Sequence, residues 1–548
     1  MNKTFIIKII TNTQLENLTN KEFKNVANKI FLIKNKTTKG IKYFINKFNN
    51  TKTNKLCLPT HIIPNNKPFN LSPKQIISIF KNFDLTKQNK NGFTIPMYLA
   101  LNNKDQNINL SPEQFMSILE KASLSQQNCV GCTIPMYLAL NNKDQNINLS
   151  PEQFMSLLKK TDMSLQDHNK NTLPMYVISN NKTQNLNLSL EQIMYILEKS
   201  DFSVKNSNNH TLLVYILSKN KTQNLNLSTN QIMRIIEKSN LSTQNFFNEK
   251  LAMYILKYNK DQELNLPTDY IMSILEKSDL KQQNNYGKTL AMYALLKNQT
   301  QNLNFSQVQI MSILEKTDLS IQDEDGWTIP MLLLTKNKEQ NLNISPEQIM
   351  SIVENSELSI QNNRKNTLPM IMLWSNKDQN LNLSPEQIMN VIEKTNLSIQ
   401  NTYGWNLPMH LLLYNKDQNL NLSTNQIMST LEKSDLSMTD NNGSTTLMFL
   451  LNYNKEQNLN LSADQIFTII NKIDPLSLND KLINEFFSSL GKQFEMSENQ
   501  LYNIAQLFNT NNKKIKSENQ EKINQIILHH KIKQNTPIKN TLKNTVKL

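Results

Sequence analysis

Glycine, cysteine and arginine are scarce in this chain. Its 548 residues include 8 Gly, 3 Cys and two arginines, Arg234 and Arg364. So little glycine and cysteine excludes collagen-like sequence, a disulfide framework and most glycine-rich phosphate-binding architectures. The low thiol content is typical of a reducing compartment, and no run approaches the ~18–20 uninterrupted apolar residues of a membrane span. Lys8 interrupts the first apolar stretch too early for a secretory signal peptide. We therefore expect a cytoplasmic protein.

Positive charge is concentrated at the two ends of the chain. Residues 1–60 hold twelve Lys against two Glu, and residues 511–548 hold nine Lys against two Glu. Since the formal net charge is +14, the long centre is close to neutral at −3. A near-neutral centre with two arginines offers no continuous basic groove for a nucleic-acid backbone. Nucleic acid is therefore not an expected partner of the centre, and an anionic membrane surface could be bound only through the basic ends.

A 39-residue unit recurs along most of the chain. TIPMYLALNNKDQNINLSPEQFMSILEK begins at Thr94 and recurs almost verbatim at Thr133, and the register continues without insertion or deletion. Stacked arrays need atypical ends, because the first and last units face water on one side. The sequence therefore predicts a basic N-terminal helical cap at 1–55, a degenerate first repeat at 56–87, ten repeats at 88–477, a degenerate C-terminal capping repeat at 478–510, and a basic helix with a disordered tail at 511–548.

Each unit predicts two short helices. Thr94 is a helix cap with Pro96 in the first turn, and Ser111 with Gln114 forms a capping box for the second helix. Apolar residues at helical spacing follow both caps. One unit cannot bury its apolar face alone, so neighbouring units must stack. We therefore predict an all-α fold, an α-solenoid of stacked helix-turn-helix repeats with helical caps.

The glycines predict a tight turn before each first helix. Six of the eight share one position in the repeat: Gly92, Gly131, Gly287, Gly326, Gly404 and Gly443. The other four units place Lys170, Asn209, Asn248 and Lys365 there. A chain so poor in glycine that concentrates it at one point is expected to need a positive φ at that point. The sequence thus predicts a protruding turn, which we call the tip.

NNYGKTLAMYAL around Gly287 and DNNGSTTLMFLL around Gly443 resemble the ankyrin repeat. The unit has 39 residues rather than about 33, with the excess in the inter-helix segment NNKDQNINL, and Met replaces the family's His. Another kind of α-solenoid is the alternative. The resemblance implies a curved stack whose tips and first helices line a protein-binding surface. It also implies a protein of an intracellular microbe that engages host proteins, delivered into the host cytosol.

Amides and methionines recur at fixed positions of the unit. Gln106 and Asn109 have identical equivalents in all ten units, and nine methionines each share the positions of Met97 and Met116. Amide stacking needs ~4.7 Å spacing, whereas packed helices lie ~8–10 Å apart. We therefore expect these amides to bond backbone groups of the inter-helix loop, and the methionines to fill the core.

No pattern in the sequence indicates catalysis or a bound metal. Cys129 and Cys132 form the one CxxC, but a second ligand pair for zinc is absent from the sequence. The histidines have no ligand spacing, and a nucleophile elbow, P-loop or kinase motif is not found. We predict a protein that is not an enzyme and has no cofactor, no metal and no small-molecule substrate.

Large side chains on the otherwise polar tips are the candidate binding residues. Aromatic residues and arginine dominate protein interfaces. The alternative is that they pack on a neighbouring tip. The predicted partner-binding residues are Phe93, Phe247, Tyr286, Trp327, Arg364, Tyr403 and Trp405. The predicted function is a protein–protein interaction scaffold with an unidentified protein partner. The alternative function is an adaptor whose basic termini bind anionic lipid or nucleic acid while the array is a spacer.

Overall fold

The repeats fold as pairs of short helices. The computed structural model describes residues 72–80, 84–239, 244–245, 247–472, 480–490, 492–509 and 517–535. The predicted N-terminal cap at 1–55 and the predicted tail after residue 535 lie outside these ranges. Strand pairing within them is limited to isolated bridges, most of them across the tips, such as Gln322 with Thr328.

Helices account for the regular structure of the described residues. Helix α1 is Pro73–Phe80. The first helices of the ten repeats are α2 (Ile95–Asn102), α4 (Ile134–Asn141), α6 (Leu173–Asn180), α8 (Leu212–Lys219), α10 (Leu251–Tyr258), α12 (Leu290–Lys297), α14 (Ile329–Lys336), α16 (Leu368–Ser375), α18 (Leu407–Tyr414) and α20 (Thr446–Tyr453). The second helices are α3 (Pro112–Leu119), α5 (Pro151–Leu158), α7 (Leu190–Glu198), α9 (Thr229–Glu237), α11 (Thr268–Glu276), α13 (Gln307–Glu315), α15 (Pro346–Glu354), α17 (Pro385–Glu393), α19 (Thr424–Glu432) and α21 (Ala463–Asn471). The last three are α22 (Asp480–Ser489), α23 (Glu498–Asn509) and α24 (Ser517–Asn535).

The chain divides into two compact units, residues 1–274 and 275–548. In the first unit, each first helix packs on the next first helix, from α2 through α10. In the second unit, first helices pack in the same way from α12 through α20, and second helices from α15 through α21. Helices α22 and α23 continue the two layers, and α24 packs on both of them. The prediction of an all-α solenoid is confirmed.

The capping residues begin the second helices as the sequence predicts. Ser111 Oγ accepts a hydrogen bond from the amide of Gln114 at 3.3 Å, and Gln114 Oε1 accepts one from the amide of Ser111 at 2.9 Å. The same reciprocal pair is present at the equivalent serines of eight further repeats. Because each pair satisfies two backbone donors, the helices begin at a fixed residue in each repeat.

Methionine fills the core, but mainly at one of its two positions. All nine methionines in the row of Met97 are at most 2% exposed. In the row of Met116, four are buried and Met116 itself is half-buried. The expectation of core filling is therefore confirmed for the first helices and holds only partly for the second helices.

The amides of the inter-helix segment join neighbouring repeats. Gln418 Oε1 accepts hydrogen bonds from the backbone amides of Lys377 at 3.2 Å and Asp378 at 3.3 Å, both in the preceding repeat. The expectation that the row of Gln106 bonds loop backbone is thus confirmed. For the row of Asn109 the expectation holds in part, because Asn265, Asn343 and Asn421 donate to carbonyls of their own loops at 3.2–3.5 Å. All ten residues of the row also have φ between 47° and 55°, the left-handed region that asparagine tolerates.

A second asparagine row, directly after each first helix, was missed by the sequence analysis. Asn376 Oδ1 accepts from the amide of Leu383 at 3.0 Å, and its Nδ2 donates to the carbonyls of Gln418 at 3.2 Å and Asn419 at 3.4 Å. Asn376 is 2% exposed. One buried side chain therefore ties its own loop to that of the following repeat. Asparagine occupies this position in all ten repeats, so the signal was present in the sequence.

The tips have the predicted positive φ. The six glycines have φ between 69° and 77°, and Lys170, Asn209, Asn248 and Lys365 have φ of 57° or 58°. Glycine has a further role at five tips, because a Cβ there would collide with the next repeat. At Gly326 that Cβ would lie 2.8 Å from Asn362 Cα, whereas at Gly443 nothing lies within 4 Å.

These two glycines form a matched pair for a stability test. Replacing either with Ala forces a Cβ into the left-handed region at a cost of ~1 kcal/mol. Only Gly326→Ala adds a backbone collision, so we expect Gly326→Ala to lower the free energy of unfolding by about 2 kcal/mol and Gly443→Ala by about 1 kcal/mol. Urea denaturation followed by circular dichroism measures both. Equal losses would contradict the role of close tip packing.

Candidate interaction surface

Each tip is held by an Asn or Asp at its base. Asp323 Oδ1 accepts from the amides of Asp325 at 3.0 Å and Trp327 at 2.9 Å. Asn401 Oδ1 accepts in the same way from Tyr403 at 2.9 Å and Trp405 at 3.0 Å. A side chain that bonds two amides of its own turn fixes the turn. The tip side chains are therefore presented by a rigid backbone.

Neighbouring tips of the second unit form a continuous hydrogen-bonded row. The carbonyls of Tyr286, Arg364 and Tyr403 each accept from the following tip at 2.9–3.0 Å. Gln322 Nε2 donates to the carbonyl of Gly326 at 2.8 Å and to that of Gln361 in the next repeat at 2.9 Å. Backbone groups that would otherwise need water are thus satisfied within the row.

The structure exposes four of the seven predicted binding residues. Tyr403 is 60% exposed, Tyr286 43% and Phe247 42%, and Arg364 is also exposed. Phe247 belongs to the first unit and the other three to the second. The second unit therefore presents Tyr286, Arg364 and Tyr403 on one row of tips.

The other three predicted residues are partly or fully buried. Trp327 and Trp405 are half-buried. Phe93 is 2% exposed and stacks on Tyr137 with ring centroids 6.0 Å apart. Phe93 therefore packs on the first helix of the next repeat rather than on a neighbouring tip, and its buried ring is not presented at the surface.

The first six repeats carry a tyrosine beneath the tip, and the last four do not. Its hydroxyl bonds the residue at the base of the tip, as in Asn128 Nδ2 to Tyr137 at 2.7 Å and Asn245 Nδ2 to Tyr254 at 2.8 Å. Burial raises the pKa of Tyr254 above its ordinary value, so the hydroxyl keeps its proton. The row comprises Tyr98, Tyr137, Tyr176, Tyr215, Tyr254 and Tyr293, followed by Leu332, Ile371, His410 and Phe449.

A groove opens where this row loses its tyrosine. It measures about 460 Å³ and lies between the tips and first helices of the second unit, lined by Leu332 together with Trp327 and Trp374. Leucine is shorter than tyrosine, so Leu332 occupies less of this space than the tyrosine ring of the first six repeats. Without the tyrosine hydroxyl, Asp323 Oδ2 accepts instead from Lys288 Nζ at 2.8 Å.

The repeat of Ile371 also lacks a tyrosine hydroxyl at the base of its tip. Asn362, at the base of that tip, is 4% exposed, and its Nδ2 has no hydrogen-bond partner in the described part of the chain. In four of the tyrosine-bearing repeats the equivalent nitrogen donates to the tyrosine hydroxyl at 2.7–3.2 Å. The repeats of Leu332 and Ile371 therefore lack the ring and the hydroxyl that tyrosine provides beneath the tip in the first six repeats.

Trp374 is a groove residue that the sequence analysis missed. It lies on α16, at a position where the neighbouring repeats carry Thr335 and Leu413. The predicted binding residues all lie at the tips, whereas Trp374 lies on a first helix. The available signal was its rarity, since Trp374 is one of three tryptophans in the chain.

Trp405 belongs to an aromatic cluster in the next repeats. Its ring centroid lies 5.5 Å from that of His410, 5.6 Å from Phe449 and 6.1 Å from Tyr403. Asn401 Nδ2 lies 3.3 Å from His410 Nε2, so the histidine takes the place of the tyrosine hydroxyl. Burial lowers the pKa of His410 from 6.5 to about 4, and the ring is therefore neutral near pH 7.

The described residues offer neither a metal site nor a membrane-spanning helix. Cys129 is exposed and Cys132 is buried. Within the described ranges, no three His, Cys, Asp or Glu side chains come together in a way that could hold a metal ion. Among the helices of the same ranges, none is both long and apolar enough to cross a membrane.

Comparison with known proteins gives no family. No protein-family model matches this chain, and no curated protein matches it. One solved structure with a similar chain is described as the predatory endopeptidase Bd0816 from Bdellovibrio bacteriovorus in complex with immunity protein Bd3460. The match has 16% identity and a TM-score of 0.25, and it covers 40% of this chain and 97% of the other. A similarity this low carries no inference. What the structure establishes is a helical repeat solenoid.

Proposed function

We propose that the chain is a non-enzymatic protein-interaction scaffold that binds a protein partner through the tips and first helices of residues 275–548. The observation that carries this proposal is the row of Tyr286, Arg364 and Tyr403. These side chains are exposed on tips whose backbones are fixed by hydrogen bonds within each turn and between turns. Aromatic side chains have few rotatable bonds and lose little conformational entropy on binding, and aromatic and arginine side chains are the types that most often anchor protein interfaces.

The array is, on this proposal, ankyrin-like. A tip with a left-handed glycine followed by two short helices supports the resemblance. The six residues by which each unit exceeds the ankyrin length fall in the inter-helix segment, where Gln418 and Asn376 bond across repeats. The engagement of host proteins by an intracellular microbe stays a prediction from the same resemblance.

The adaptor function attributed to the basic termini also stays a prediction. Residues 1–71 and 536–548 lie outside the described ranges. Removing residues 1–60 and 511–548 distinguishes the two functions. Binding that survives the truncation supports the scaffold, and loss of all association supports the adaptor.

The scaffold is tested by changing the tips. We expect the triple variant Tyr286→Ala, Arg364→Ala, Tyr403→Ala to recover the partner at least about tenfold less well in affinity purification from cell extract, because interface anchors each contribute about 1 kcal/mol or more. The same purification with Val308→Ala, Glu354→Ala, Lys394→Ala is the control, since Val308 and Glu354 are exposed on second helices of the same unit and Lys394 is exposed directly after one.

Circular dichroism must show that both triple variants keep the wild-type helix content. An unchanged partner list from the tip variant would contradict the proposal. Equal loss from both variants would contradict it as well, because binding would then not depend on the tips.

A further inference from the structure

Aromatic and aliphatic side chains line the groove beneath the tips. Trp327 precedes α14 and Trp374 lies on α16, and both line the groove with Leu296 and Leu332. A volume of about 460 Å³ is within the range of pockets that bind ligands. Both tryptophans are half-buried, so part of each indole is accessible from solvent.

The unneutralised charge in the groove is negative. Of the five charged residues that line it, Lys288 is paired with Asp323 at 2.8 Å. Lys336 is paired with Glu339 at 2.6 Å. The remaining two, Asp325 and Asp378, have no basic side chain within 4 Å among the described residues.

These two carboxylates have remaining hydrogen-bonding capacity. Asp378 Oδ2 accepts one bond, from Gln418 Nε2 at 3.1 Å. Asp325 is exposed at its tip. An ionised carboxylate can accept about four hydrogen bonds. The groove therefore offers anionic acceptors beside two indole rings.

We propose that this groove binds an arginine side chain of the protein partner. The proposal rests on the scaffold function and specifies the chemistry that it recognises. A cation is attracted to the face of an indole, and tryptophan is the strongest of the aromatic residues in this respect. The planar guanidinium can stack on an indole while its N–H groups bond a carboxylate in pairs. A lysine ammonium has neither the plane nor the paired donors.

The tryptophans themselves report on occupancy. The chain holds three, Trp327, Trp374 and Trp405, and incorporation of 5-fluorotryptophan gives three ¹⁹F signals in NMR. Each signal is assigned with the corresponding Trp→Phe variant. Trp405 does not line the groove, so it is an internal control within the same protein.

The probe is the peptide acetyl-Gly-Ser-Arg-Ser-Gly-amide, titrated into the full chain to about 10 mM, since one side chain is expected to bind weakly. We expect saturable shifts of the Trp327 and Trp374 signals and no shift of the Trp405 signal. The matched peptide with citrulline, which has the shape of arginine without its charge, should bind at least about tenfold more weakly. The lysine peptide should bind more weakly than the arginine peptide.

Variants of the groove separate charge from shape. The pair Asp325→Asn, Asp378→Asn should weaken binding of the arginine peptide about tenfold and leave the citrulline peptide unchanged. Asp417→Asn is the matched control, because Asp417 occupies the position of Asp378 in the next repeat and does not line the groove.

Three results would overturn the proposal: no shift of the two groove signals, equal binding of the arginine and citrulline peptides, or no effect of the double Asp variant. Each leaves the scaffold function intact if the tip variants still lose the partner. Conversely, arginine binding in the groove with unchanged partner recovery from the tip variants would contradict the scaffold function alone.

Discussion

Replacing Asn376 with Ala is expected to lower the free energy of unfolding by about 3 kcal/mol. Alanine leaves the amide of Leu383 and the carbonyl of Gln418 without their side-chain partner in a buried loop, and each buried group left unsatisfied costs ~1–3 kcal/mol. The backbone at Asn376 is helical, with φ −55°, so alanine adds no conformational strain. Urea denaturation followed by circular dichroism measures the loss.

Hydrogen exchange locates the effect of Asn376→Ala. If the free energy of local opening falls by about 3 kcal/mol, protection from exchange falls about a hundredfold in the peptide that contains Leu383. Asn390→Ala is the control, because Asn390 bonds Glu354 on the exposed surface and surface substitutions change stability by at most about 0.5 kcal/mol. A loss below about 1 kcal/mol for Asn376→Ala would mean that the buried asparagines do not hold the repeats together.

Acid is expected to destabilise the second unit through His410. Its folded-state pKa is about 4, against 6.5 for the ordinary value, because burial disfavours the charged ring. Between these values the unfolded chain binds the proton and the folded chain does not. The contribution of His410 is therefore fully present above pH 6.5 and is lost as the pH falls towards 4, by about 1.4 kcal/mol per pH unit and about 2 kcal/mol at pH 5.

The variant His410→Tyr isolates this contribution from the other titrating groups. Tyrosine occupies this position in six repeats, where its hydroxyl bonds the Asn or Asp at the base of the tip. The measurement is the difference in unfolding free energy between pH 7.5 and pH 5. We expect the wild type to lose about 2 kcal/mol more than His410→Tyr. Equal losses in the two proteins would show that the ring is protonated in the fold.

Regular features of the fold could be predicted from the sequence because each depends on local chemistry. The serine and glutamine of the capping box satisfy backbone donors within one turn, so their spacing fixes where the second helix begins. Glycine at the tip predicted a positive φ, which the structure confirms at all ten positions, Lys170 and Lys365 included. The Met97 row predicted a buried face for the first helices.

Contacts between repeats were harder to predict. Asn376 and Gln418 bond groups about forty residues away in the chain, and an invariant amide does not by itself say whether its side chain bonds its own loop or the next one. The positive φ of the row of Asn109 was not predicted for a related reason, since asparagine serves both hydrogen bonding and a left-handed backbone.

The exposure of the candidate binding residues also depends on how neighbouring repeats pack. Phe93 and Trp405 occupy the same position of the repeat, directly after the tip glycine. Yet Phe93 is 2% exposed and stacks on Tyr137, whereas Trp405 is half-buried beside other aromatic rings. The groove of Trp327 and Trp374 depends on what its neighbour lacks, the tyrosine ring replaced by Leu332. Such an absence becomes visible only when equivalent positions are compared in three dimensions.

The central claim is that a protein partner binds the tips of residues 275–548. Site-specific photo-crosslinking tests it most directly, with p-benzoylphenylalanine placed at Tyr403 on a tip or at Val308 on a second helix, which are 60% and 76% exposed. We expect a covalent partner adduct from position 403 and none from position 308. Adducts from position 308 alone, or equally from both positions, would contradict it.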